Sequence, residues 1–534
     1  MATAKIYKNV LESLTTSMYK DSKCVLREYI QNAADQIDYA KAEHHDWECV
    51  IEVKINSENR IIEVNDDATG VPANRIQEVL IDVAHSEKIR GVQKGFRGIG
   101  RLAGLGYCRT LKFETTYYGE NTVTTLVWDA ARLRSILDDV NDDREAVDVI
   151  DEVVTINQNT DEKAVNLHYF KVIMEHVTDD SLLNESEVRN YLSMVAPVDY
   201  DYSKFMFAND IQKYMQENGF HLDTYNIWVG DNQLFKAYTN TIYVAKNHGG
   251  EDIRDQVNSI DFWNEKDDEG NTIYWGWYSI SNMVGEIPVT NVARNIRLRC
   301  ENIQLGDENT CKEFFDKSEK RFVDWFFGEI HVISKDLIPN AQRDYLREGG
   351  ARKDFEYRIR EDFQNTLKPL CNDASAIRNG LKKIAKDNAD EEKILAQQKK
   401  GYATDLEAAQ KEKELQALRE KREKMLRQME RKKAQLESTG SPLVGMFSNY
   451  AQNALATGKD PILLSNGQQG NTTIVRNTTA QPKFTLRTDK PAYRKFTDNE
   501  KKIINKVYSV ISVAVQDDNK RTTLLDMIEA AITK

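Results

Sequence analysis

The 534-residue chain has only six cysteines, at positions 24, 49, 108, 300, 311 and 371, and no C-x-x-C pair among them. That spacing argues against a zinc ribbon or a dense disulfide scaffold, and it makes a reducing, cytoplasmic compartment the expectation. The sequence contains no apolar run of about 18 residues, so neither a membrane span nor a membrane partner is expected. The N-terminus, Met1 to Tyr7, lacks the apolar core of a signal peptide. His-Glu-x-x-His is missing, and so is the G-x-x-x-x-G-K-[S/T] of a P-loop. Positive charge is in deficit: 73 Lys and Arg against 85 Asp and Glu leave a net charge of -12. The chain as a whole is therefore no general nucleic-acid binder, although a local basic patch stays open.

What is present is enough to build packed cores, with 40% apolar and 30% charged residues. The length suits about three to four domains. Helical spacing over 22–44 places Val25, Leu26, Tyr29, Ile30, Ala33, Ala34 and Ile37 on one stripe. Strands are predicted at 49–56, 60–65, 110–118 and 122–128, with a helix over 74–84 and a glycine-rich stretch between. Further strands are read at 170–174, 240–245, 273–279, 295–299 and 328–333, and helices at 184–195 and 204–217. The fold class expected is α+β.

The composition shifts near residue 375, where Lys, Arg, Glu, Gln, Ala and Leu take over. A long helix or an antiparallel helical hairpin, coiled-coil-like, is expected over 375–438. Residues 411–433 carry ten Lys and Arg against five Glu, which reads as a solvated face or as a contact for a partner or nucleic acid. Residues 439–490 read as a flexible linker. A small helical module is expected at 493–534, opened by a Thr497-to-Glu500 capping box.

Three elements carry candidate chemistry. Glu28, Asn32 and Asp35 share one face of the first long helix. Two carboxylates and an amide there would suit a magnesium–phosphate site, since magnesium takes hard oxygen ligands and keeps waters. Asp66 ends a strand ahead of Ala68-Thr69-Gly70, where a buried carboxylate could accept a hydrogen bond from an exocyclic amino group. Gly95-Phe96-Arg97-Gly98-Ile99-Gly100 is a G-x-x-G-x-G loop entering an apolar segment, and its amides could cradle an anion. Each alone is an ordinary feature: a polar helix face, an Asp-rich turn, a glycine loop.

Together, in this order, they resemble the Bergerat ATP-binding fold of the GHKL superfamily, which includes the 90-kDa heat-shock chaperones, gyrase B, MutL and the sensor histidine kinases. Leu26 to Asp35 is similar to the N-box of the chaperones, and Val79 to Lys88, with Ser86, to the start of their ATP lid. Ile296 to Arg299, Ile303 to Leu305, Phe326 to Val332 and Asp336 to Asp344 look like their middle domain. The resemblance implies a Bergerat α/β sandwich over 1–180 and an α/β middle domain over 181–370.

It also implies ATP and Mg²⁺ as ligands. Asp66 and Gly70 would meet adenine, and Ser86, Gly95, Arg97, Gly98, Ile99 and Gly100 would wrap the phosphates. Asn32 would ligate Mg²⁺, Glu28 would polarise the attacking water, and Asp35 would support the pocket. Arg343 would reach the γ-phosphate from the middle domain. Ala68 stands where the family's turn has its first glycine. The threonine that closes the adenine pocket is left open among Thr124, Thr125 and the strand near His168.

The function implied is an ATP-hydrolysing, chaperone-like clamp, working as a homodimer and remodelling or recruiting a protein client or effector. The alternatives are an ATP-gated nucleic-acid clamp of the MutL or MORC kind and a nucleotide-controlled scaffold. A role in prokaryotic phage defence is conceivable for any of the three. A histidine kinase fits poorly, because the first histidines, His44 and His45, follow the N-box.

Overall fold

The structure is a computed structural model. It describes residues 5–15, 21–82, 100–246, 250–280 and 286–447, and in the C-terminal segment residues 493, 495–497, 500, 501, 503, 504, 507 and 525–531. The chain divides into two units, residues 1–465 and 466–534.

The first unit opens with a short helix, α1 (Asn9–Thr15), and the long α2 (Cys24–Glu43). A hairpin of β1 (Val50–Asn56) and β2 (Ile61–Asp66) follows. Of the helix expected over 74–84, the described part, 74–82, holds instead a 3₁₀ turn at Ala73–Arg75 and a single π turn at Gln77–Ile81. Next come β3 (Thr110–Thr116), β4 (Thr122–Asp129), α3 (Ala130–Asp138), α4 (Ala146–Val153), β5 (Val154–Thr160) and β6 (Tyr169–Glu175). Helices α5 (Glu185–Val195) and α6 (Ala208–Asn218) then precede β7 (Asn226–Val229) and β8 (Asn232–Gln233).

These eight strands form one mixed sheet, in the order β5-β4-β3-β6-β2-β1-β7-β8. The sheet does not end near residue 180, because β7 returns to pair parallel with β1. Alternation in β1 to β4 sends Ile51, Val53, Ile62, Val64, Leu111, Phe113 and Leu126 into one core against the apolar stripe of α2.

Beyond it, β9 (Thr241–Lys246) and β10 (Asp252–Gln256) pair as a hairpin. The middle sheet contains β11 (Asp261–Lys266), β12 (Thr272–Ile280), β13 (Asn295–Cys300), β14 (Ile303–Gln304) and β15 (Phe326–Val332), in the order β11-β12-β15-β13-β14. Every residue of β15 is buried, because its two faces serve different cores. Phe326, Ile330 and Val332 meet the helices that follow, while Phe327 joins Trp275, Trp277 and Tyr238 on the other side.

Those helices are α7 (Gly350–Asp362), α8 (Lys368–Lys400) and α9 (Asp405–Ser438). Helices α8 and α9 fold back on each other as an antiparallel hairpin. Gly401 turns the chain at φ +87°, and Thr404 caps α9 by accepting from the Glu407 amide at 3.2 Å. The hairpin is rooted in the middle domain: Ile377, Leu381, Ile384, Met429 and Leu436 belong to the core under β15. The stretch read as linker begins later than 439, since Leu443, Met446 and Phe447 are buried in that same core. Residues 448–490 lie outside the described residues.

In the second unit, Tyr493 and Leu525 form a small core with Phe496, Ile504 and Ile528. The capping box is formed there. The Glu500 amide donates to Thr497 Oγ1 at 3.4 Å, and Glu500 Oε2 accepts from the Thr497 amide at 2.7 Å. Among the described residues no helix is long and apolar enough to cross a membrane, and none of the six cysteines is in a disulfide.

Candidate functional site

The polar stripe of α2 is not a solvated face. Arg27, Glu28, Gln31 and Asp35 are 3%, 8%, 2% and 6% exposed, and Asn32 is half-buried. Carboxylates at that depth are costly without partners. Glu28 has one: Arg27 Nη2 donates to Glu28 Oε1 at 3.1 Å and also to the Gln342 carbonyl at 3.0 Å. Burial opposes the charge on Arg27, but the Glu28 carboxylate outweighs it and holds the guanidinium above its ordinary pKa. The residue beside the predicted catalytic glutamate is therefore joined to the loop that carries Arg343.

Arg343 sits in that loop at φ +52°, a conformation a non-glycine residue adopts only where its surroundings impose it. The loop is held by backbone amides: that of Gly306, after β14, donates to the Arg343 carbonyl at 2.8 Å, and Arg343 donates to the Asn340 carbonyl at 3.3 Å. The side chain is 7% exposed, and its guanidinium has no ion-pair partner among the described residues.

Asp66 ends β2, in register with Phe170 of β6, which faces Thr115 of β3. The Asp66 carboxylate is 3% exposed and accepts from the Ala68 amide at 3.2 Å. Ala68 itself is fully buried in the core, so the methyl in place of a hydrogen is accommodated by packing. Gly70 is required for a different reason from the one expected. It lies at φ +71°, and a Cβ there would stand 2.0 Å from the Thr116 carbonyl oxygen. Its lack of a side chain admits the neighbouring strand.

Of the glycine-rich loop, Gly100 is described. A Cβ on it would lie 2.6 Å from Glu28 Oε2, so the end of the loop passes directly over the Glu28 carboxylate. Ser86, Gly95, Arg97, Gly98 and Ile99 lie outside the described residues.

Near the Asp66 end of the sheet β3 presents two buried threonines, Thr115 and Thr116, and Thr124 of β4 pairs opposite Thr115. Thr115 Oγ1 donates to the Tyr169 carbonyl at 2.7 Å and accepts from the Val71 amide at 3.0 Å. The buried Thr116 Oγ1 has no protein partner. Sequence reasoning missed Arg27 and Thr116. The adjacency of Arg27 to Glu28 was a usable signal, whereas nothing local marks Thr116.

The residues present fit a magnesium nucleotide. Asn32 offers a side-chain oxygen with no hydrogen-bond partner among the described residues, enough for an ion that keeps waters and takes its other ligands from phosphates. Arg343 offers an uncompensated positive charge, and Gly100 a backbone approach. Alongside Arg27 a cleft of about 760 Å³ opens between the two domains, lined by Tyr191, Arg294, Arg297, Gln304 and Gln342 among others. Among the described residues no three His, Cys, Asp or Glu side chains converge as a metal site.

No curated protein matches the chain. Residues 19–154 match the family model described as histidine kinase-, DNA gyrase B- and HSP90-like ATPase. That stretch holds Glu28, Asn32, Asp35, Asp66, Gly70 and Gly100, and the match supports a GHKL, Bergerat-fold ATP-binding domain in this part of the chain.

Proposed function

We propose that the protein is an ATP-hydrolysing clamp, chaperone-like, which couples nucleotide turnover to the position of its middle domain and so remodels or recruits a protein partner. The observation that carries this reading is the shared donor Arg27, whose Nη2 bonds both Glu28 and the Gln342 carbonyl next to Arg343. A charge change at Glu28 is thereby felt by the middle domain.

Bound Mg²⁺ would neutralise phosphate charge. The chain's own residues do the rest. Asp66 accepts from the exocyclic amine of adenine. Asn32 presents its carbonyl to the ion, and Asp35 supports the pocket wall. Glu28, buried beside Arg27, takes a proton from the attacking water. Arg343 stabilises the charge that develops on the transferred phosphoryl group. Ser86, Gly95, Arg97, Gly98 and Ile99 belong to the lid that closes over the phosphates. The working unit of this reading is a homodimer, with Ile6, Tyr7 and Val10, 61%, 50% and 45% exposed, as an apolar face for the contact, and its compartment is the cytoplasm.

The nucleic-acid clamp is less favoured by the ion pairs of α9. Four of its ten basic residues are turned onto α8: Arg419 and Arg422 onto Glu391, Lys421 onto Asp387, and Lys432 onto Asp373.

The test is ATP turnover and molecular mass for wild type and Glu28→Ala, with and without ATP. We expect Glu28→Ala to bind ATP but to turn it over roughly 10²- to 10⁴-fold more slowly, and ATP to change the mass or shape of both. An unchanged rate in Glu28→Ala would remove Glu28 from the chemistry, and no ATP binding by wild type would remove the reading altogether.

A further inference from the structure

We propose that His168 is a positioning residue of the nucleotide site: its ring nitrogen pins the backbone of the turn after Asp66 and so sets affinity for ATP, with no part in hydrolysis. This rests on the reading of Asp66 to Gly70 as the adenine turn.

His168 Nδ1 lies 2.8 Å from the Asp67 carbonyl oxygen and 2.7 Å from that of Ala68. Both neighbours are acceptors, so Nδ1 must carry the hydrogen, which fixes the tautomer. A single N–H is thereby shared by two consecutive peptide groups. The first of these, which runs from the Asp67 carbonyl to the Ala68 amide, donates through that amide to the Asp66 carboxylate at 3.2 Å. His168 is thus two links from the group that would read the base. The rest of the turn is tied elsewhere: Asp67 Oδ1 accepts from the Val50 amide at 2.6 Å, and the Thr69 carbonyl from the Tyr118 amide at 3.4 Å.

The ring itself is held in place. Trp47 stacks on it at 3.9 Å between centroids with 9° between planes, and His44 covers the other face of Trp47 at 4.0 Å and 9°. The edge of Tyr118 closes against both Trp47 and His168, at 5.2 and 5.8 Å. His44 is the C-cap of α2. The stack therefore joins the end of the helix that carries Glu28, Asn32 and Asp35 to the turn that carries Asp66. A ring that served packing alone would not need its polar nitrogen aimed at two carbonyls of that turn.

The experiment measures the Kd for ATP by calorimetry, with kcat and melting temperature, on the full chain and on His168→Ala, His168→Asn and His168→Gln. The amide nitrogen of asparagine occupies the place of Nδ1, whereas that of glutamine reaches to the place of Nε2. We expect His168→Ala to weaken ATP binding roughly tenfold and to leave kcat at saturating ATP within about twofold. His168→Asn should regain most of the affinity, and His168→Gln should not.

Wild type that binds ATP together with His168→Ala of equal affinity would overturn this proposal alone. Wild type that binds no ATP would overturn the adenine-turn reading, and this proposal with it. A fall in kcat at unchanged Kd would make His168 a participant in the chemistry, again against the proposal. Should His168→Ala not fold, the Asn and Gln variants decide. Asn tighter than Gln supports the Nδ1 role, and equal affinity refutes it.

Discussion

At the scale of single residues, two glycines make opposite predictions. Gly70 is fixed by the fold: φ +71° and a carbonyl 2.0 Å from any Cβ leave no room for alanine. Gly70→Ala should lower stability by roughly 1–3 kcal/mol from the backbone conformation alone, visible as a lower melting temperature. Gly100 is fixed by the site. Its virtual Cβ meets a movable carboxylate oxygen of Glu28 at 2.6 Å, so Gly100→Ala should fold normally with Glu28 displaced. ATP turnover is expected to fall by roughly 10²-fold, the cost of an ångström-scale misplacement, with the melting temperature unchanged. A Gly100→Ala protein of wild-type rate would show that Glu28 need not stand where it does. The sequence displayed both glycines, but only as members of motifs. Which backbone or side chain each one accommodates depends on strands and helices distant in the chain.

At the scale of elements, the apolar stripe of α2 and the alternation in β1 and β3 could be read directly, because local spacing determines which face is buried. The burial of the polar stripe could not, since that depends on what covers it. Nor could the choice between long helix and hairpin over 375–438, which is decided by Gly401 and by acid–base pairs between α8 and α9. Sequence reading also passed over Leu443, Met446 and Phe447 in a stretch otherwise polar. The rooting of the hairpin gives a contrast. Removing its outer half, 395–414, should leave the melting temperature within a few degrees. Leu381→Ala or Ile384→Ala should cost roughly 2–5 kcal/mol, read by denaturant unfolding.

The middle sheet carries a second element-scale prediction. Glu329, fully buried, is bonded by Lys236 at 2.7 Å, Arg299 at 2.6 Å, His331 at 3.0 Å and Tyr200 at 2.6 Å. Burial pushes His331 down to about 4, so it is neutral in the fold, while the unfolded chain takes up that proton near its ordinary value of about 6.5. The unfolded state binds more protons between those values, and stability falls as pH drops through that window. Burial works against the charge of Glu329, yet Arg299 and Lys236 hold it well below the carboxylate range, which adds a loss in the same direction at still lower pH. Lys236, pushed down to about 7 by burial, titrates above the window. Denaturation midpoints followed by tryptophan emission should therefore decline between about pH 6.5 and 4, since Trp275 stacks on His331 at 4.5 Å. His331→Gln should flatten the decline, and an unaltered slope would assign the acid sensitivity to other groups.

At the scale of the whole first unit, the proposed coupling makes Arg27 the link to test among the described residues. Arg27 bridges positions far apart in sequence, Glu28 and Gln342, and beside it lies a cleft of about 760 Å³. A cleft bounded by a hydrogen-bonded pivot has room to close when the pivot tightens. If ATP draws Arg343 toward the phosphates, the Gln342 carbonyl moves with it, Arg27 follows, and Glu28 is released or gripped according to that position. Arg27→Ala should then separate binding from motion. Glu28 would lose its buried partner, and the middle domain would lose its tie to α2. The expected result is ATP affinity within a few-fold of wild type, turnover reduced by roughly tenfold or more, and loss of the ATP-dependent decrease in radius of gyration measured by small-angle scattering. Arg27→Lys retains the charge but cannot present one planar donor group to both acceptors, so it should restore stability without restoring the motion. If Arg27→Ala still compacts with ATP, the two domains communicate by some other route and Arg27 is only the counter-ion of Glu28.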